Sequence, residues 1–438
     1  MILPRLAVPA AGVMLAILGL HVALLPEAHW QGDDFLCSAF ARDDGLAYLW
    51  QARIGGWSPR PLSEVVFYLY GRLAASLQRP LTVPFLALLW TLLFASTLVG
   101  MRKWQWPRVV IGLAACCLYL LGHPVGEMFY WPAGAVAYVC TLTASSMAVF
   151  LLIDGRDRSW AGTVAASASL AACAACSEAG ACLAVLLAPA LATLRWRRPG
   201  KALTLGLPGL CVAGFVFWEV AHHRLVSAEA VGHLTLLHSL RLALRDLGRE
   251  LRQFWTAKLA FLLGVRCCAA GARPHARGLV ACAVALPLAA AAVTVAAWHQ
   301  FGAPCCERHE SLRQGWVVLM LAASGVASVR RWPVGARAAR FGPAALLLAC
   351  LIEAAPRLHP ILHDLRLMGA ITATQRMDWR RGRAASEMMQ FRLPPPAEVA
   401  GMPGIPTGQF AEPALNSWSA HGLMQFFHKR RITILPPR

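Results

Sequence analysis

Asp33 and Asp34 set two adjacent carboxylates a few residues beyond a long apolar run, in the stretch Trp30-Gln31-Gly32-Asp33-Asp34-Phe35. A carboxylate at a water boundary suits general-base chemistry, taking the proton from an attacking hydroxyl group. Either aspartate fills that role at the level of the sequence. The pair also offers the hard oxygen ligands that Mg2+ or Mn2+ takes, so a divalent cation is a second use for it. Arg42, Arg53, Arg60 and Arg72 follow within the same stretch. A guanidinium fork matches phosphate oxygens and stays charged at any working pH, which makes Arg53, Arg60 and Arg72 candidate binders of a phosphate or pyrophosphate. On an amphipathic helix the same residues face water or lipid headgroups instead.

Two further carboxylates stand beside apolar segments, where ionisable side chains are costly and mark candidate sites. Glu178 lies in Cys176-Ser177-Glu178-Ala179-Gly180, at the turn of a tight hairpin between two short apolar runs. Glu127 opens Gly126-Glu127-Met128-Phe129-Tyr130-Trp131-Pro132-Ala133-Gly134, a loop packed with aromatic rings. Tyr130 and Trp131 are candidate platforms for a sugar ring, and they are equally the belt residues of a membrane interface. Fourteen cysteines look like many, but most sit inside apolar runs as small packing residues. Cys173 and Cys176 have redox spacing without a second pair or a histidine to complete a site. Cys37, Cys305 and Cys306 fall in segments expected to face an oxidising compartment, which makes Cys37 a disulfide candidate.

The elements that must position these groups are written in the composition. The chain is 58% apolar and 14% charged, with mean hydropathy +0.52, against about a quarter charged residues in a soluble domain. Apolar windows fall near 6–25, 81–100, 108–122, 134–153, 161–177, 179–194, 202–221, 254–266, 279–298, 314–329 and 341–355. Backbone in lipid must satisfy its own hydrogen bonds, so these are helices. The expected fold is an all-α polytopic membrane protein with about eleven transmembrane helices. A net charge of +19 invites a nucleic-acid reading, yet the arginines are dispersed among turns. Arg102, Lys103 and Arg108 share one turn, Arg156 and Arg158 another, and Arg195, Arg197, Arg198 and Lys201 a third. With eleven spans these turns, and those at 266–277 and 330–340, lie on the side of Arg5. The positive-inside rule then places the N-terminus inside and the C-terminus outside, with no nucleic-acid partner. Outer loops 222–253 and 299–313 also carry arginines and weaken the rule locally.

Residues 26–80 form an outer loop far longer than the usual connection. Leu36, Phe40, Ala47, Trp50 and Ile54 recur at helical spacing, as do Leu62, Val65, Val66, Leu69, Leu73 and Leu77, with Gly55-Gly56-Trp57-Ser58-Pro59 as the turn between them. Two interfacial helices there would form a jaw around the aspartates. In the second outer loop Leu240, Leu244, Leu247 and Leu251 make one stripe and Arg241, Arg245, Arg249 and Arg252 another, a helix suited to lie along anionic lipid or to serve as a plain interfacial anchor. Beyond Glu353 the apolar density collapses. Residues 356–438 read as a small α/β cap outside the membrane, with a helix from Ile361 to Ile371 continuing through Trp379 to Met389, another from Trp418 to Phe427, and a strand at Ile432-Thr433-Ile434.

A first span leading directly to an Asp-bearing outer loop with interfacial helices, about eleven spans and a water-facing tail resembles the GT-C superfamily of polyprenyl-phosphate-dependent glycosyltransferases. Gly32-Asp33-Asp34-Phe35, Tyr130-Trp131-Pro132-Ala133-Gly134-Ala135 with Tyr138, and Ser177-Glu178 are similar to a family of bacterial GT-C-like membrane proteins of unestablished function. The resemblance covers roughly residues 1–355. It implies a catalytic base in the first outer loop, here Asp33 or Asp34, a polyprenyl-phosphate-linked sugar as donor, and a glycan or lipid acceptor in the cell envelope. It also implies the bacterial inner (cytoplasmic) membrane, with the N-terminus cytoplasmic and the C-terminus periplasmic or extracellular. The Trp-Trp-Asp signature of oligosaccharyltransferases does not occur, which argues against N-glycosylation. Two rivals use related substrates: a flippase for lipid-linked glycans, and an O-antigen ligase or polymerase that works through arginines. A flippase places its coupling carboxylates near the bilayer midplane, whereas these acidic residues are expected at the outer edge.

Overall fold

A computed structural model of the chain describes residues 3–28, 30, 32–99, 106–121, 125–153, 159–194, 197–224, 234–270, 276–303, 306–356, 379–392 and 418–435. The first apolar segment is α1 (Leu3–Ala23). The long loop that follows holds α2 (Gly32–Asp43), a single turn α3 (Gly45–Ala47) running into a π-helical turn at Tyr48–Trp57, and α4 (Pro61–Leu77). Then come α5 (Thr82–Val99), α6 (Trp106–Tyr119), a π-helical turn at Gly126–Tyr130, and α7 (Pro132–Ile153). Helices α8 (Trp160–Cys176), α9 (Glu178–Thr193) and α10 (Pro199–Glu219) follow as a hairpin and its neighbour. The second half contains α11 (Leu236–Arg252), α12 (Trp255–Cys268), α13 (Ala276–Phe301), α14 (Glu307–Ser328), α15 (Ala336–Arg340) and α16 (Gly342–Pro356). The tail supplies β1 (Met388–Arg392), α17 (Trp418–Phe426) and β2 (Arg431–Leu435).

All eleven apolar segments are therefore helical, and the chain is an all-α protein with one small sheet. Length separates them. Among the described residues three helices are long and apolar enough to cross a membrane: Pro132–Ile153, Pro199–His222 and Arg277–Phe301. In six others the apolar helical stretch is 10–17 residues long, and at about 1.5 Å per residue such a stretch falls short of a hydrocarbon layer of about 30 Å. The three long helices occupy different places. The apolar stretch of Pro132–Ile153 is 83% buried against 28% and 39% for the other two, so α7 is the hub and α10 and α13 form the flanks. Around α7 pack α4, α5, α8 and α14, while α13 bridges α9, α11 and α14.

The first loop departs from the expected pair of continuous helices. Gly45, with φ +61, breaks the first at its midpoint, and the backbone rewinds as the π-helical turn that carries Gly55 and Gly56, so the expected turn at 55–59 begins only at Ser58. The tail differs too. Residues 379–382 are helical, but Met388 and Met389 belong to a strand, because β1 pairs in parallel with β2 in the register Met388↔Arg431 and Gln390↔Thr433. Ile361 to Ile371 lies outside the described residues. The tail grips the first loop: Arg42 donates to the backbone carbonyls of Phe426 (2.8 Å) and Gln425 (3.1 Å). Trp30, Phe35, Trp379, Phe426 and Phe427 interlock edge to face, with Trp30 5.1 Å from Phe35 and 5.3 Å from Phe426, geometry that favours ring quadrupoles. Cys37 is a buried free thiol, as are Cys173 and Cys176, and Cys306 is also free, so the Cys37 disulfide is not formed among the described residues. Cys305 lies outside them.

Candidate functional site

Asp33 and Asp34 occupy the first turn of α2, where carboxylates complement the positive end of the helix. Successive helical residues point about 100° apart, and this separates the pair. Asp34 turns inward. It is fully buried and its Oδ2 accepts a 2.8 Å hydrogen bond from Trp131 Nε1. Asp33 turns into a partly open cavity of about 520 Å³, and no described residue hydrogen-bonds its carboxylate. Burial raises its pKa from the ordinary carboxylate value, while the charges of Arg53 and Arg308 pull it back down. A base so held sits closer to neutral than a solvated aspartate, as proton abstraction requires.

The wall opposite is built from arginines, each anchored by a carboxylate. Arg53 meets Glu64 through two parallel bonds, Nε to Oε2 at 2.8 Å and Nη2 to Oε1 at 3.0 Å. Arg60 donates from Nε to Glu178 Oε2 at 2.6 Å and lies 5.6 Å from the Tyr138 ring centre. Arg308, from the first turn of α14, stacks over Trp131 at 5.1 Å and Tyr138 at 5.8 Å, and its contact with Glu127 is longer, 3.9 Å. Its Nε, like the hydroxyl of Ser58, another residue of the cavity wall, is buried and has no hydrogen-bond partner among the described residues. Tyr138 shares a 2.7 Å hydrogen bond with His309 Nε2. The far side is apolar, from Phe217 of α10 and Val293, Ala297 and Phe301 of α13.

Two glycines let this arrangement form. A Cβ on Gly134 would stand 2.0 Å from the Glu127 carbonyl oxygen, and one on Gly180 would stand 1.8 Å from that of Cys173. Only glycine fits either place. The first lets α7 start hard against the aromatic π-helical turn; the second closes the α8–α9 hairpin, where Ser177 caps α9 by accepting from Gly180 N at 3.0 Å. Glu178 is thereby fixed at the cavity wall.

Of the residues singled out in the sequence, Asp33, Arg53, Arg60, Trp131 and Glu178 line this one cavity. Four do not. Asp34 faces Trp131 behind it, and Glu127 supports Arg308 from outside the cavity wall. Tyr130 is buried at 3% exposure with its hydroxyl on His21, so its ring is packing and not a platform. Arg72 is one helical turn from Tyr68, to whose hydroxyl it donates at 2.9 Å, and it points away from the cavity. Glu64, Tyr138, Arg308 and His309 complete the wall. Arg308 and His309 were legible only as part of the charged run Cys306-Glu307-Arg308-His309-Glu310 at the head of an apolar segment. Among the described residues no three His, Cys, Asp or Glu side chains group to hold a metal ion. With Asp34 turned away and Glu64 engaged by Arg53, the carboxylates do not fit a dedicated Mg2+ or Mn2+ site. Cys37 lines the cavity as well, but burial pushes its thiol up to about 11, which removes it as a nucleophile near neutral pH. No family model, curated protein or solved structure matches the chain.

Proposed function

We propose that the protein is an integral membrane glycosyltransferase, moving a sugar from a polyprenyl-phosphate donor to an envelope acceptor at the outer face of the bacterial inner membrane. The observation that carries this reading is Asp33, a carboxylate with a raised pKa and no hydrogen bond among the described residues, facing Arg53 and Arg308 across one cavity. Asp33 takes the proton of the acceptor hydroxyl as that oxygen attacks the anomeric carbon, and the bond to the lipid phosphate breaks in the same displacement, inverting the centre. Negative charge gathers on the departing phosphate. Arg60 and Arg308 stabilise it, since preformed cations aimed at developing charge lower the barrier. Trp131 and Tyr138, 3% and 2% exposed, are the buried rings on which Arg308 is held at the cavity wall, and the apolar side between Phe217 and Phe301 admits the lipid chain. In this reading α1, α5 to α10, α12 to α14 and α16 are the eleven spans, the shorter ones thinning the bilayer locally. The N-terminus is then cytoplasmic, and the first loop and the tail share the outer side.

Surface glycans of cells carrying Asp33→Asn or Asp34→Asn test the assignment. Loss with Asp33→Asn and retention with Asp34→Asn at equal protein level is the expected result. Retention in both would remove the general base from the account. A second reading, an arginine-driven O-antigen ligase or polymerase, is favoured by the convergence of Arg53, Arg60 and Arg308. It predicts the reverse sensitivity, to Arg308→Gln and not to Asp33→Asn.

A further inference from the structure

Helix α11 (Leu236–Arg252) has three faces where an ordinary amphipathic helix has two. With about 100° per residue, Leu236, Leu237, Leu240, Leu244 and Leu251 fall in one sector of about 100°. They are exposed, Leu237 at 78% and Leu244 at 58%. Arg241, Arg245, Arg249 and Arg252 fill the next sector, also exposed. The third holds Ser239, Ala243, Asp246 and Glu250, all buried.

Each face has its own physics. The buried face is pinned by polar bonds to two neighbouring helices: Trp298 Nε1 of α13 donates to Asp246 Oδ2 at 2.8 Å, and Arg313 of α14 binds both oxygens of Glu250. Lys258 Nζ closes the end of the helix on the carbonyls of Glu250 (2.6 Å) and Gln253 (2.7 Å). The orientation of α11 is therefore fixed by the protein, and its rows of leucine and arginine are presented side by side in a set direction. Water alone does not suit the leucines, and an apolar partner alone does not suit four adjacent cations. An acyl layer capped by anionic headgroups suits both.

We propose that α11 is a binding surface for anionic lipid, its leucines in the acyl region and its arginines on the negative headgroups. The inference rests on membrane embedding and not on sugar transfer. The helix is also placed to report to the cavity, because α13 carries Trp298 on the side of α11 and Val293, Ala297 and Phe301 on the cavity side.

The full chain in vesicles of phosphatidylcholine with or without phosphatidylglycerol provides the test. A benzophenone amino acid at Leu240 should crosslink to lipid acyl chains. Arg241→Gln/Arg245→Gln/Arg252→Gln, which spares the contact of Arg249 with Asp246, should bind a fluorescent phosphatidylglycerol on the order of a hundredfold more weakly, given roughly 1 kcal/mol per basic residue near the surface. Its melting in phosphatidylcholine should match the wild type, which reports an intact fold. Unchanged phosphatidylglycerol binding would overturn the proposal, as would Leu240 adducts mainly to a second copy or another polypeptide.

Discussion

Two arginine–carboxylate sites on either side of α14 obey opposite rules. Behind it, Arg313 and Glu250 are closed on each other by three hydrogen bonds, with side chains 7% and 2% exposed. At the cavity, Arg60 and Glu178 touch through one described bond and are 17% and 22% exposed, and the buried Nε of Arg308 has no acceptor among the described residues. The first pair spends its hydrogen-bonding capacity inside the protein and locks α11 to α14. The second holds its cations at the cavity wall with part of their side-chain surface exposed. A closed pair organises structure, whereas an open one is available to a ligand.

Breaking the closed pair should have the largest effect on stability. Arg313→Ala leaves Glu250 charged and buried, a loss of about 3–5 kcal/mol, read as a sharp fall in melting temperature in detergent. Arg313→Met/Glu250→Met, which removes both charges, should recover most of it. Asp34→Ala strands the indole N–H of Trp131 and should cost about 1–3 kcal/mol, whereas Asp34→Asn, which still accepts, should cost less. Arg60→Met, removing one half of a part-buried pair joined by one described bond, should cost clearly less than Arg313→Ala while abolishing function. If Arg60→Met destabilised as strongly as Arg313→Ala, the distinction between open and closed pairs would fail. The smallest effect concerns Glu307 at the head of α14, whose pKa burial and the charges of Glu127 and Glu310 raise to about 7. A carboxyl with a raised folded-state pKa contributes stability below its unfolded value of 4.5, and that contribution is lost as pH rises through about 7. Melting of the wild type should therefore decline over this range relative to Glu307→Gln.

The helices were legible because each apolar run is bounded by turns rich in arginine, proline or glycine, a pattern set by the need to bury backbone. Which of them are long enough to cross a membrane was less so, because apolar windows do not fix where a helix stops: α12 ends at Cys268 after 14 residues. Asp33, Arg53, Arg60, Trp131 and Glu178 were legible as ionisable or aromatic residues beside apolar segments. What separates Asp33 from Asp34 is a rotation of one helical residue, which depends on how α2 packs under Trp131 and the tail and so leaves no local trace. Arg72 misled for the same reason, since its helix places it on the Tyr68 side. The strand at Met388–Arg392 was hidden because its partner lies about forty residues further on, at Arg431–Leu435.

The central claim is that Asp33 acts chemically and that its ionisation is a net cost to folding. Because its folded pKa is raised above 3.8, its ionisation near neutral pH costs stability, and Asp33→Asn should melt at or above the wild-type temperature. Purified Asp33→Asn, given a panel of polyprenyl-phosphate sugars with cell-envelope acceptors, decides the matter through release of free polyprenyl phosphate. The account predicts a fall of about 10²–10⁴-fold in release at unchanged or higher melting temperature; wild-type release, or a loss that tracks unfolding, would contradict it.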